Sequence, residues 1–390
     1  MHIRPLTADE FELSLELSEF AFQFEMTKAE REERKAYFEP ERIWGCFEDD
    51  KLLAKLVLLP LETYIQQTPV AMGGIAGVAT WPEYRRQGLV TQLLQHALLL
   101  MRENGQTLSF LHPFEFPFYR KYGWETYIEY KKYIVDAAKL PVRTAYPGTI
   151  TRIKPDASRI NPVYEAFAKR YNGTLVRSDS WWERSVFERK GGQFAVYQNA
   201  EGQDRGYILY KVKDKEMVIH EMVCLDLESE DALWSFVGNH DSMIEKVKLT
   251  APADDRLPFK LRNPRITQET VPYFMGRIVD FTGFLGQYTF APTSDLNAKE
   301  IIVLAIEDPF APWNQGTFAI DISSEGKPEI ASTDERPQLR MDIQTLSALF
   351  LGYLKPLELY QLGRIQGDYD QVQRLEQRIP PSTTYLMDFF

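Results

Sequence analysis

The stretch Gly77-Val78-Ala79-Thr80-Trp81-Pro82-Glu83-Tyr84-Arg85-Arg86-Gln87-Gly88-Leu89-Val90 sets two arginines and a glycine where a strand-like apolar run meets a long helical one. A helix that opens there leaves its first backbone N–H groups without partners in the helix, and its dipole adds positive potential. Such an end suits a diphosphate. Gly88 allows a ligand to approach the backbone, and Arg85 and Arg86 can add charge-assisted bonds. The stretch is neither GxxxxGK nor GxGxxG. On its own it also reads as a plain β-α turn with surface arginines.

Three further segments carry chemistry or ask for an explanation. Phe118-Tyr119-Arg120-Lys121-Tyr122-Gly123-Trp124 places phenols beside a glycine. Phe20-Ala21-Phe22-Gln23-Phe24-Glu25 combines aromatics with a carboxylate, a set that can hold a cationic amine or simply pack a helix end. The chain ends Leu386-Met387-Asp388-Phe389-Phe390. Chain ends are usually frayed and polar, so a free end here would leave two aromatics in water. A docked terminus is expected.

The elements that must position these residues follow from periodicity. Capping boxes at Thr7–Glu10 and Thr27–Glu30 open two helices. Strands are expected over 42–47, 52–64 and 70–80, with turns at Asp49-Asp50 and 66–69. A helix over 88–103 ends at Asn104-Gly105. A strand over 107–112, a short helix over 116–122 and a last strand over 125–135 complete the unit. After a linker at 139–147, a second unit repeats the order: a helix entered by Asn161-Pro162, another over 179–189, hairpins over 193–197, 206–212 and 216–225, a helix near 231–237 and a strand near 245–249. At the position matching the arginine loop it reads Val223-Cys224-Leu225-Asp226-Leu227-Glu228-Ser229-Glu230-Asp231, whose carboxylates would repel a diphosphate. Trp181 and Trp182 read as packing residues. From about Pro272 strands (301–306, 316–322, 327–331) and helices (343–354, 357–363, 369–378) form an α+β domain.

Composition bounds the function. The 390 residues carry a net charge of −11, against an overall basic nucleic-acid binder. The two cysteines are far apart, and the five histidines form no HxxxH or HxH pair, so neither a disulfide framework nor a metal site is expected. The best apolar run, LLAKLVLLPL, is broken by Lys55 and Pro60, and the N-terminus shows no basic-then-apolar leader. A cytoplasmic protein is the expectation.

The pattern R-x-x-G at Arg85–Gly88, followed by F-Y-x-x-x-G-aromatic at Phe118–Trp124, resembles the GNAT superfamily of acetyl-CoA-dependent N-acyltransferases. The layout of two such units, the second degenerate, and a small C-terminal domain ending in phenylalanine resembles its Eis (enhanced intracellular survival) family. The resemblance implies an α/β (α+β) fold. It has an N-terminal GNAT domain over 1–140, a degenerate one over 141–285 and a sterol-carrier-like domain over 286–390. It implies that Val78, Ala79 and Thr80 offer strand-edge groups to pantetheine. Arg85, Arg86, Gln87, Gly88, Leu89 and Val90 would wrap the pyrophosphate. Val90 stands where the superfamily usually has Gly or Ala, and its backbone N–H remains available. Tyr119 matches the tyrosine that protonates the departing thiolate, a task a phenol of pKa ~10 can perform at neutral pH. The α-carboxylate of Phe390 would enter the site as the base. Some members carry an acidic residue just before the last phenylalanine; here Phe389 stands there and Asp388 one earlier. Phe24 and Glu25 fall in the wall of the acceptor site.

The implied activity is N-acetylation of a primary amine on an aminoglycoside-like, polyamine-like or lysine-bearing acceptor. Acetyl-CoA is the co-substrate, no metal takes part, and a homo-oligomer, a hexamer by family resemblance, is expected. Two other readings belong to different classes: a non-catalytic protein binding CoA or an apolar ligand in the sterol-carrier-like domain, and a transferase using an aminoacyl-tRNA donor. The intact arginine loop and Tyr119 speak against the first, the net charge against the second.

Overall fold

The computed structural model describes residues 1–293 and 300–390. The chain begins with a strand that its periodicity does not announce, β1 (His2–Pro5), then α1 (Phe11–Phe22) and α2 (Lys28–Ala36). Both capping boxes form: the Glu10 carboxylate accepts from the Thr7 N–H and Glu30 from the Thr27 N–H, each at 2.8 Å. Strands β2 (Ile43–Glu48), β3 (Lys51–Ile65) and β4 (Thr68–Thr80) follow. Gln66 and Gln67, both at positive φ, make the two-residue turn between the last two. Helix α3 (Leu89–Glu103), β5 (Leu108–Leu111) and α4 (Phe116–Arg120) come next.

The strand expected over 125–135 is two strands, β6 (Glu125–Thr126) and β7 (Glu129–Asp136), in different sheets. Tyr127 and Ile128, both fully buried, turn the chain between them, and their N–H groups donate to the Phe274 carbonyl instead of a ladder.

The second unit comprises β8 (Thr149–Ile153), α5 (Ala157–Ala168), α6 (Asp179–Trp181) continuing as a wide turn through Glu188, and β9 (Gln193–Gln198). It goes on with β10 (Asp204–Lys213), β11 (Glu216–Cys224), α7 (Leu227–Gly238), β12 (Lys246–Pro252) and α8 (Leu257–Lys260). Asn161-Pro162 does not open α5: Asp156 caps it, and Pro162 lies inside the helix. The side chain of Asp156 reaches the N–H three residues on, a role a cap fills better than a proline a turn later.

Strands β13 (Thr267–Pro272) and β14 (Met275–Ile278) then interleave the units. The first sheet runs β1-β2-β3-β4-β5-β14-β6 and the second β13-β7-β12-β11-β10-β9-β8. Each contains one parallel pair, β4 with β5 and β11 with β12, flanked by antiparallel neighbours. The last unit packs a five-stranded sheet with helices over Ile343–Phe350, Pro356–Gln361 and Tyr369–Arg378.

One face of the first sheet is covered by α3, whose Leu89, Leu93, Leu94, Leu98 and Met101 pack on Leu56, Leu58, Ile75 and Leu111. Burying each such side chain contributes roughly 1.5–3 kcal/mol. The C-terminal unit is anchored to the same sheet by a fully buried ion pair, Arg277 to Asp308 at 2.7 Å. Arg277 also donates to the carbonyl of Tyr122, and its guanidinium fills the space beside Gly123. Gly123 sits at φ +90°, and a Cβ there would fall 1.4 Å from the Arg277 guanidinium. The glycine of the aromatic motif is therefore required by packing.

Candidate active site

Strands β4 and β5 pair only over Met72–Ile75 and Leu108–Leu111, and the chain beyond them is unpaired between the two. On the other side of β4 the register with β3 shifts: Val57 opposes Ala76 while Lys55 opposes Ala79. Leu56 thus faces both Gly77 and Val78, a bulge that bends the strand and frees backbone groups from the ladder. Gly77, at φ +54°, permits it.

Helix α3 opens next to this bulge. Gly88 is its N-cap at φ +80°, no side chain caps it, and no acidic residue lies in its first turn. A Cβ on Gly88 would meet nothing within 4 Å. Among the described residues neither Arg85 nor Arg86 has a carboxylate partner. A cavity of about 750 Å³ lies here, lined by Val78, Ala79, Thr80, Arg85, Arg86, Gly88, Leu89 and Val90, with Phe114, Phe118 and Tyr122 opposite. The buried Thr80 hydroxyl has no hydrogen-bond partner among the described residues. Gln87 lies outside the lining and donates to the Glu83 carbonyl. The corresponding end of α7 is closed: Asp226 accepts from Ser229 N–H at 2.8 Å and pairs with Arg205 at 2.8 Å, so a carboxylate sits where an anion would have to bind.

Tyr119 is 3% exposed in α4 and packs on Phe114, Phe118 and Trp124. Its hydroxyl has no hydrogen-bond partner among the described residues, and burial pushes its pKa well up, keeping the phenol protonated. It does not line the cavity. Tyr122 does, with its hydroxyl held against the Thr91 hydroxyl at 2.9 Å.

A smaller cavity of about 170 Å³ lies under α1, lined by Phe22, Phe24, Phe38, Val57, Gly77 and Lys55 among others. Phe22 borders both cavities. Glu25 is exposed and lines neither. Lys55 is buried and bonds Ser14 Oγ at 2.7 Å and Ser18 Oγ at 2.6 Å, with no carboxylate beside it among the described residues. Desolvation pushes its ammonium down to about 7, and Arg34 adds repulsion.

The terminus is docked, as its composition requires. The Phe390 ring packs on Phe274 at 4.9 Å and on Trp181 at 6.3 Å. The Phe389 ring meets His112 at 4.9 Å. Trp181, read from sequence as packing alone, also lines a cleft of about 520 Å³ with Trp44, Leu61, Glu41 and Glu62. Sequence reasoning missed Lys55; Phe22 and Tyr122 lay in segments it marked without being singled out, and Trp181 was assigned to packing. A signal existed for Lys55, the charge that interrupts an apolar strand.

Comparison with known proteins agrees with this geometry. A model of an acetyltransferase (GNAT) domain matches residues 2–127, a second GNAT model matches 173–278, and a sterol carrier protein domain matches 281–387. An uncharacterized N-acetyltransferase of Streptomyces avermitilis is 25% identical over 372 residues, 88% of this chain and 86% of that one. The N-acetyltransferase Eis of Mycobacterium tuberculosis is 23% identical over 323 residues, 77% of this chain and 76% of that one. A crystal structure from Enterococcus faecalis, described as a probable N-acyltransferase, superposes with a TM-score of 0.92 at 28% identity, covering 100% of this chain and 99% of that one. Eis1 of Mycobacterium abscessus shares the fold, with a TM-score of 0.83 at 19% identity over the whole of both chains.

Proposed function

As an Eis-like N-acetyltransferase of the GNAT type, the chain must bring an acyl donor to an amine, and we propose that the donor is acetyl-CoA and the acceptor a cationic primary amine. The observation that carries the donor assignment is the contrast between two helix ends. The start of α3 is uncapped, free of acidic residues and flanked by two arginines without carboxylate partners among the described residues. The start of α7 is blocked by its own carboxylate. One donor site per chain follows, in the first unit.

The residues fit the donor. Arg85, Arg86 and the first N–H groups of α3 would hold the pyrophosphate. The bulged edge at Val78–Thr80, with the unpartnered Thr80 hydroxyl, would take pantetheine amides. Acetyl-CoA supplies an activated thioester; the amine nitrogen attacks its carbonyl carbon and the C–S bond breaks. The Phe390 α-carboxylate accepts a proton from the amine, being ionised at neutral pH. Tyr119 gives its phenolic proton to the thiolate. Its hydroxyl, without a hydrogen-bond partner among the described residues, supports that role, and burial keeps the phenol protonated. Backbone N–H groups at the bulge stabilise the oxyanion.

The aromatic wall of Phe22 and Phe24 and the cleft of Trp44, Trp181, Glu41 and Glu62 support a cationic acceptor. Glu25, exposed and outside both linings, contributes only at long range. The acceptor class is polyamine-like, aminoglycoside-like or lysine-bearing. A further proposal, resting on family resemblance, is a homo-oligomer.

The test is thiol release from acetyl-CoA against a panel of polyamines and aminoglycosides, beside a chain lacking Phe390. Turnover with the full chain and a large loss on truncation are expected. Calorimetry showing no CoA binding would overturn the reading in favour of an apolar-ligand protein.

A further inference from the structure

The last residues of the chain are held by side chains of the second unit and by Tyr273. Three successive backbone carbonyls each have a donor: Met387 from Lys190 Nζ at 2.9 Å, Asp388 from Tyr273 Oη at 2.9 Å and Phe389 from Arg189 Nη1 at 3.1 Å. The Asp388 carboxylate, 1% exposed, accepts from Arg177 Nε at 3.0 and 3.1 Å and from Trp181 Nε1 at 2.9 Å. Arg177 is itself fully buried, stacked on Tyr164 and Trp182, and bidentate to Glu221 at 2.7 and 3.1 Å. Lys190 also reaches Glu221 at 2.5 Å.

The charges explain the arrangement. Buried Arg177 and half-buried Lys190 face buried Glu221 within the unit, an excess of one positive charge. Asp388 neutralises it. A buried guanidinium without enough anionic partners is costly, so this site favours a carboxylate at that position of the tail. The carbonyl donors fix the backbone on either side without regard to side chains, and the two aromatics fill apolar surface next to Phe274 and His112.

We infer that the second unit, though closed to the acyl donor, carries a peptide-binding site. Its ligand is the chain's own terminus, of the form Asp-aromatic-aromatic, read through the buried Arg177–Asp388 pair and the three carbonyl donors. Arg177, Lys190 and Tyr273 are then positioning residues for Phe390. The binding stands independently of catalysis; its catalytic consequence rests on Phe390 serving as the base.

Two measurements test it. A chain ending at Tyr385 is titrated with the acetylated peptide Leu-Met-Asp-Phe-Phe and with Leu-Met-Ala-Phe-Phe. Binding of the first at least about tenfold tighter, with recovery of amine-dependent thiol release, is expected. Equal affinity for the two peptides overturns the site. Tight, Asp-dependent binding without recovered turnover upholds the site and sinks the role of Phe390. Because the shortened chain can fail to fold, the second measurement uses the full chain. Carboxypeptidase should release Phe390 at least about tenfold faster from Asp388→Ala, which leaves Arg177 on Glu221, than from the unaltered chain. Equal release rates overturn the proposal.

Discussion

The ring of Phe390 lies over Gly74: a Cβ added to Gly74 would come within 2.9 Å of Phe390 Cε2 and 3.0 Å of Leu61 Cδ1. Residue 74 is in β4, upstream of the bulge at Gly77–Val78, so the terminal ring packs on the strand that carries the bulge. Gly74 is not at positive φ, and its backbone accepts alanine. Gly74→Ala should therefore fold and push the terminal ring aside. Misplacing a reacting group by about an ångström can cost up to ~100-fold in rate. A fall in kcat of roughly tenfold, with KM for acetyl-CoA unchanged, is expected from steady-state kinetics. An unchanged kcat would count against the terminal carboxylate as base.

Tyr119 and Tyr122 separate by role. Tyr119→Phe removes a hydroxyl that has no hydrogen-bond partner among the described residues, so stability should hold while kcat falls by roughly 10²–10⁴-fold. Tyr122→Phe removes a hydroxyl tied to Thr91 and should change kcat by no more than about fivefold, since that bond is worth about 1 kcal/mol or less. Reversal of the two effects would assign the proton donor to Tyr122, the phenol that lines the cavity.

Arg85 and Arg86 should act through the donor alone. Charge-assisted bonds to a phosphate contribute about 1.5–3 kcal/mol each, so each alanine variant should raise KM for acetyl-CoA by about tenfold or more. KM for the amine should stay constant. Added salt should weaken acetyl-CoA binding less in the variants than in the unaltered chain. Equal effects on both substrates would remove the arginines from the pyrophosphate.

Much of this was legible in the sequence because the signals were local. Capping boxes, the glycine at the start of α3 and the acidic loop at 223–231 announce themselves within a few residues. The interleaving of the sheets was not legible. Glu125–Asp136 alternates like a single strand, and only the burial of Tyr127 and Ile128 between sheets divides it. β14 joins β5 and β6 across the whole second unit, a pairing no window along the chain can hold. The site followed the same rule. The arginine loop is one segment, so its residues could be read together. The terminal clamp joins residues 177, 190, 273 and 388, and nothing in their separate surroundings reveals it.

Lys55 gives a prediction that depends on pH. Burial holds its folded-state ammonium down at about 7, while an unfolded lysine titrates near ~10.4. Between those values the unfolded chain binds a proton that the folded chain does not, so this residue makes stability rise with pH. The slope approaches about 1.4 kcal/mol per pH unit within that window. Below about pH 7 both states are protonated and the contribution is flat, with the charge held by Ser14 and Ser18. Lys55→Met keeps the apolar stem and removes the proton. Its stability relative to the unaltered chain should be highest near pH 6 to 7 and decline steadily toward about pH 9 to 10. Urea unfolding of both chains across that range measures it. Parallel curves would mean that Lys55 keeps its proton in the fold, stabilised by Ser14 and Ser18 against desolvation.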